Sequence, residues 1–227
     1  MLFRHRHTFA SRLSTTAVAL GALGLTAVAV SQDDLDFPVP DVKPAEHQIA
    51  PAFDPGDMNM EAWMQASSPG EHHEMLSEMV GDWDVVVKMW MGGADSGMPT
   101  VSEATAKVTM VLDGRHLREE FKGVMMGQPF EGVSTTSYDN YSGQYVTHWV
   151  DSMSTAPGVM RGHASMDGGS IIFYGSMDEP MMGMRGKTIK AVTRMVDEKT
   201  HVFEMHDMHI EGDTKVMEMT YTRKNDD

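Results

Sequence analysis

A chain of 227 residues with 24 methionines and no cysteine excludes disulfide cross-links, thiolate metal sites and cysteine nucleophiles. Its 33 acidic residues against 18 Lys and Arg give a net charge of -15. That field repels a polyanion, and no basic stripe interrupts it, so nucleic acid is not an expected partner.

Arg4, Arg6 and Arg12 precede an uncharged apolar run from Ala17 to Val30, followed by small residues and then Asp33 and Asp34. This is the pattern of a secretory signal peptide. The run is 14 residues long, short of the roughly 20 helical residues that a membrane crossing needs. Residues 1–29 are therefore expected to be removed, with cleavage after Ala29 and Ser31 as the alternative. No cysteine offers a lipid attachment point and no adjacent arginine pair marks the twin-arginine route. The expected product is secreted or periplasmic, in a bacterial envelope, with no stable membrane insertion. Cleavage takes three arginines and no acid, leaving 15 basic residues against 33 acids and a net charge of -18.

Residues 30–56 hold five of the ten prolines and many acids without a period of 2 or 3.6, the composition of an extended, disordered linker. Residues 57–81 read as a helical cap in two pieces. Asp57 is placed to cap the first; Ser68 caps the second, with Pro69 at its first position, Glu71 completing a capping box and Gly81 as the stop. Met75, Leu76, Met79 and Val80 fall on one face of that second helix, which should pack on the remaining domain.

From residue 82 to 224 the texture is that of strands cut by turn signals at intervals of about a dozen residues. Ten are expected: 82–91, 101–112, 115–125, 128–138, 143–151, 159–166, 170–177, 186–196, 200–210 and 214–223. Asp113-Gly114, Gly127-Gln128-Pro129, "DNYSG", "DGG", "DEK" and "EGD" stand between them as hairpin connections. Ten antiparallel strands in an open sheet would leave two unpaired edges, which closure removes. The fold expected is therefore all-β, an antiparallel up-and-down barrel with the helices over one mouth.

Four stretches, "PGEHHEMLSEMVGDWDV", "MVLDGRHLREEFKGVMMGQPFEGVSTTSYDN", "YVTHWVDSMST" and "KVMEMTYTRK", resemble the bacterial family called domain of unknown function 1579, over about Met60 to Lys224. The resemblance implies a calycin-type barrel of the lipocalin kind. It implies no reaction or ligand and supplies no functional residues.

A barrel of this width can keep a pocket, and strand alternation decides which side chains face it. Tyr145, Thr147, Trp149 and Asp151 share one face of the fifth strand, His116, Arg118 and Glu120 one face of the third, and Val202, Glu204, His206 and Met208 one face of the ninth. If these faces point inward they line an apolar cavity with a few fixed polar groups, the composition of a small-molecule site; if outward, they are solvated, and an Arg118 pair with Glu120 or Glu204 is structural. The candidate ligand-binding residues are Glu120, Tyr138, Trp149, Asp151 and Glu204, and the expected partner is a small, partly apolar molecule. No G-x-S-x-G elbow, H-E-x-x-H helix or Gly-rich phosphate loop is present, so no catalytic residue is assigned. Glu120, Asp151 or Glu204 as the base of a hydrolase or isomerase is a further alternative.

Met177, Met181, Met182 and Met184 crowd one hairpin connection. Thioethers suit Cu(I), so copper or silver binding is the alternative to an oddly composed turn with no cofactor. A second group, His201, Met205, His206, Met208, His209, Met217 and Met219, is split by strand alternation, which leaves Met217 and Met219 on the face of Tyr221 as core residues.

Overall fold

Ten strands succeed one another: β1 Gly81–Met89, β2 Thr100–Val111, β3 His116–Met125, β4 Gln128–Asp139, β5 Gln144–Asp151, β6 Gly158–Ala164, β7 Ser170–Glu179, β8 Met184–Asp197, β9 Thr200–Asp207 and β10 Lys215–Arg223. Each pairs antiparallel with the next, and β1 closes the barrel against β10 from Trp83 opposite Arg223 to Met89 opposite Met217. No strand edge is left among them, which is how a meander of this length avoids edge-to-edge association. The computed structural model describes residue 56 and residues 58–225. The expected signal peptide, the Asp57 cap and all of the linker except Gly56 lie outside the described residues.

The alternation of the chain fixes the inside. On β1 Trp83, Val85 and Val87 are buried while Asp84 and Val86 are exposed. Opposite them stand Ala104 and Ala106 on β2 and Met219 and Tyr221 on β10, so small and large side chains interleave around the wall. Aromatic bulk is gathered on β3, β4 and β5, where the ring centroids of Phe121, Phe130 and Trp149 lie 6.0 to 6.3 Å apart. Gly132 stands beneath the Trp149 indole, where any Cβ would strike the ring.

Two helices precede the barrel, α1 Met60–Ser67 and α2 Glu71–Ser77. Their caps differ from the expectation. Asn59, not Asp57, caps α1, its side chain accepting from the Ala62 N–H at 2.9 Å. Gly70, not Ser68, caps α2, and the reciprocal bond comes from His73, whose Nδ1 accepts from the Gly70 N–H at 3.2 Å. The helix start thus slips two residues past Ser68 because an imidazole three positions on replaces the expected Glu71 carboxylate. On the packing face Leu76 and Met79 are buried and Met75 is half-buried, but Val80 is exposed, since α2 ends at Ser77 and the chain turns before reaching it.

The helices lie at the end of the barrel that carries the β2–β3 and β4–β5 turns, called here the helix-side end. Asn140 donates to the carbonyls of Ser68 at 2.7 Å and Ala66 at 3.3 Å, Arg115 to that of Ser67 at 3.1 Å, and the Trp83 indole to that of Met79 at 3.0 Å. Arg223, at the end of β10, joins three segments: it donates to the carbonyls of Glu78 and Glu198 at 2.9 Å each and to that of Val80, and its guanidinium lies 4.1 Å over the Trp83 ring.

At the opposite, open end β3 and β4 are joined by Met126 and Gly127, both at positive φ, 52° and 75°. That is the demand of a type I′ hairpin, which Asn-Gly meets more easily than Met-Gly.

Candidate functional site

In a closed barrel a mid-strand side chain that points inward has hydrogen-bonded strands on both sides, so any surface it keeps faces the barrel interior or its open mouth. Phe203 and Met205 on β9, Met217 and Met219 on β10, Met160 on β6 and Thr147 on β5 are such residues, and all six are only half-buried. The interior keeps some accessible surface here, although Met160, Phe203, Met217 and Met219 also pack against the core. Its walls are thioether, aromatic and small side chains, with few polar groups among them.

The polar groups gather at one place. Glu119 on β3 is inward, between Leu117 and Phe121, and accepts from the Tyr221 hydroxyl at 2.9 Å and from the Ser134 hydroxyl at 3.2 Å. It retains some accessible area. Burial raises its proton affinity above the usual carboxylate range, and the two donated hydrogen bonds only partly offset this. Burial likewise lifts the Tyr221 phenol well above its ordinary value. His201 stacks on Tyr221 with ring centroids 4.0 Å apart and meets Trp83 edge-on at 4.4 Å. Burial, aided by the Arg223 charge, pushes its imidazole down to about 4, and its buried Nδ1 has no hydrogen-bond partner among the described residues. At neutral pH His201 is thus a neutral ring among aromatics, and Glu119 is a carboxyl that resists ionisation.

The proposed ligand residues separate into two groups. Trp149 and Asp151 face inward together: the indole N–H donates to Asp151 Oδ2 at 2.8 Å. The other oxygen of Asp151 accepts from the backbone N–H groups of Met153 and Ser154, both at 2.8 Å, so this carboxylate orients the indole and shapes the turn after β5. Tyr138 is also inward but sits under the helices, stacked on His72 at 3.8 Å and edge-on to Tyr145 at 4.8 Å. Glu120 and Glu204 are corrected outward. Glu120 is exposed and ion-paired with Arg118 at 3.1 Å. Glu204 belongs to an outer-wall network in which Lys215 lies 3.5 Å from Glu204 and 2.7 Å from Glu218, and Lys88 2.9 Å from Glu218. The inner face of β9 is His201, Phe203, Met205 and Asp207, the opposite parity to the Val202, Glu204, His206 and Met208 face.

Glu119 and Ser134 were not among the expected site residues; His201 was expected only in the split Met and His group, and Tyr221 only on a core face. A signal for Glu119 was present: on β3 the even positions His116, Arg118, Glu120 and Lys122 are charged or polar, while the odd positions Leu117, Phe121 and Gly123 are apolar. Glu119 is the lone acid on the apolar side.

Toward the open end a second inward pair, Lys187 and Asp207, is buried with its charged atoms 2.5 Å apart. Burial opposes the ionisation of Asp207, but the Lys187 hydrogen bond and the His209 backbone N–H outweigh it and hold its pKa below the usual range. Among the described residues no group of three or more His, Asp and Glu side chains is placed to hold a metal ion. The four methionines of the β7–β8 connection are all solvent-exposed, Met181 by 75% and Met182 by 70%. A cleft of about 730 Å³ outside the helix-side end is lined by Glu78, Arg223 and residues 195–199; it is the open flank of the Arg223 junction, whose donors are already engaged.

A family model described as "Protein of unknown function (DUF1579)" matches residues 68–223, and the chain belongs to that family. No curated protein matches. Among solved structures the chain is similar to the S-type phycobiliprotein lyase CPES from Guillardia theta, at 11% identity, 73% of this chain, 98% of that one and a TM-score of 0.46. It is also similar to Rv2717c from M. tuberculosis, at 13% identity, 70% of this chain, 100% of that one and a TM-score of 0.47. At this identity neither transfers a function.

Proposed function

We propose that this member of the family is an exported, non-enzymatic carrier that binds a small, partly apolar molecule inside its barrel. The observation that carries the reading is the set of mid-strand, inward side chains that keep accessible surface although the sheet around them is closed. Trp149, Phe121, Phe130 and the inward methionines would surround the apolar body, while Glu119, Ser134 and Tyr221 offer the few polar contacts that fix orientation. Methionine suits such a wall because its unbranched, polarisable chain adapts to the shape it meets. Export is supported by the composition of residues 1–29. Mass spectrometry of organic extracts from the natively exported protein is the test. Thr193 on β8 points inward, opposite Ile171 and Phe203; a small molecule present in the wild type and missing from a folded Thr193→Trp variant, in which an indole occupies that space, is the expected result. Identical extracts from both would refute the reading.

A second reading, hydrolysis or isomerisation with a carboxylate base, moves from Glu120, Asp151 and Glu204 to Glu119, the inward carboxyl whose proton is held more tightly than in water. Infrared difference spectra of wild type against Glu119→Gln check its premise. The reading expects the Glu119 carboxyl to titrate above the ordinary value of about 4.3, and titration at or below that value removes it.

A further inference from the structure

The five connections at the open end carry nine exposed methionines among the described residues: Met91 and Met98 after β1, Met126 after β3, Met153 after β5, Met208 after β9, and the four of the β7–β8 tip. The strand connections at the helix-side end carry one, Met166, and the helical segment before the barrel three, Met58, Met60 and Met64. Apolarity alone does not account for the difference. The open-end connections expose no Leu, Ile or Phe side chain, although any of these would serve a purely hydrophobic contact as well. What distinguishes methionine from them is sulfur.

From this we infer that the β7–β8 hairpin tip is a soft-cation site, in which the thioethers of Met177, Met181, Met182 and Met184 bind Cu(I) or its analogue Ag(I). Thioether sulfur favours monovalent copper over zinc, calcium or magnesium, and a chain without cysteine has no other soft ligand. The tip is built rather than loose. Pro180–Met182 form one turn of 3-10 helix, whose first N–H, that of Met181, donates to the Glu179 side chain at 3.3 Å. Gly183 ends that turn in the left-handed conformation that a glycine adopts freely. Across the hairpin the Gly186 N–H donates to Asp178 Oδ1 at 2.8 Å. These bonds hold Met181 and Met182 at the apex, between Met177 on one strand and Met184 on the other, where Glu179 pairs with Met184. None of the four side chains is buried, so a cation reaches them without opening the fold, and the site does not depend on what the lumen holds.

Anaerobic titration of the full chain with Cu(I) against a bicinchoninate competitor, followed by the methyl resonances of labelled methionine, tests this. One equivalent should bind and shift the methyl signals of these four residues, and replacing all four by leucine should weaken binding by about tenfold or more. Met166→Leu should change nothing. A quadruple variant that competes as well as the wild type, or binding with no shift of these methyl groups, overturns the assignment. Because all four residues are exposed, circular dichroism of the variant should match the wild type, which separates lost binding from lost folding.

Discussion

The two ends of the barrel use the same residue types to opposite purpose. At the helix-side end Leu76, Met79, Trp83 and Tyr221 are buried, and Arg223 spends three hydrogen bonds and a ring contact on joining α2, β1 and the β8–β9 turn. Exposed apolar side chains occur at both ends, Leu112, Tyr141 and Met166 in the helix-side turns, but those of the open-end connections are mostly methionines, and the buried ion pair there is Lys187–Asp207. One end holds the fold together. The other is free to change without unfolding it, which is where a protein can afford an entrance and an exposed binding surface.

The contrast can be broken most forcefully at the helix-side end. Trp83→Ala, which removes a fully buried indole, should cost about 3–5 kcal/mol in urea unfolding; a loss below about 1 kcal/mol would mean that this end is not the keystone. Arg223→Ala should cost about 2–3 kcal/mol, and Arg223→Lys should not restore it, because an ammonium cannot reproduce the planar fork that serves several carbonyls at once.

Acid should act through the same end. His201 has an ordinary value of 6.5 unfolded and about 4 folded. The folded state therefore binds fewer protons between these values, and the contribution of His201 is complete above about pH 6.5 and is lost as pH falls toward 4. The loss approaches about 3 kcal/mol and should flatten in His201→Phe. Glu119 has the opposite sign: its raised proton affinity in the folded state means that acidification relieves a cost. Glu119→Gln should thus make the acid loss steeper, and profiles that bend the same way in both variants would contradict the assignment of these groups.

The smallest effects belong to the open end. Met181→Ser with Met182→Ser should move stability by less than about 0.5 kcal/mol. Met126→Asn should raise it by about 0.5–1 kcal/mol, because asparagine tolerates the left-handed turn position that methionine occupies under strain. A large loss from either change would erase the difference between the ends.

Much of the fold was legible because alternation and turn chemistry are local. Each of the ten strands lies within three residues of its expected bounds, the largest difference being β9, which ends at Asp207 rather than at residue 210, and Asp113-Gly114 and Gly127 fall in the turns that need them. Closure followed from a global argument, the absence of a tolerable edge. The helix starts were missed because Ser68 and Gly70 compete for one cap, and the winner depended on the His73 imidazole. The site was less legible for a different reason. A strand's two faces are told apart by which is more apolar, and on β3 and β9 polar residues occur on both. The attention given to Glu120 and Glu204 followed charge. The inner face of β3 is instead the one that carries Leu117 and Phe121, with Glu119 tolerated between them because Tyr221 and Ser134, distant in sequence, supply its hydrogen bonds.

A hollow barrel is tested most directly by titrating the protein with N-phenyl-1-naphthylamine, a neutral fluorophore that brightens when it leaves water. Saturable binding of one equivalent, quenching of Trp149 fluorescence, and loss of both in a folded Thr193→Trp variant is the predicted result. The absence of saturable binding to the wild type, or equal binding by the plugged variant, would contradict it.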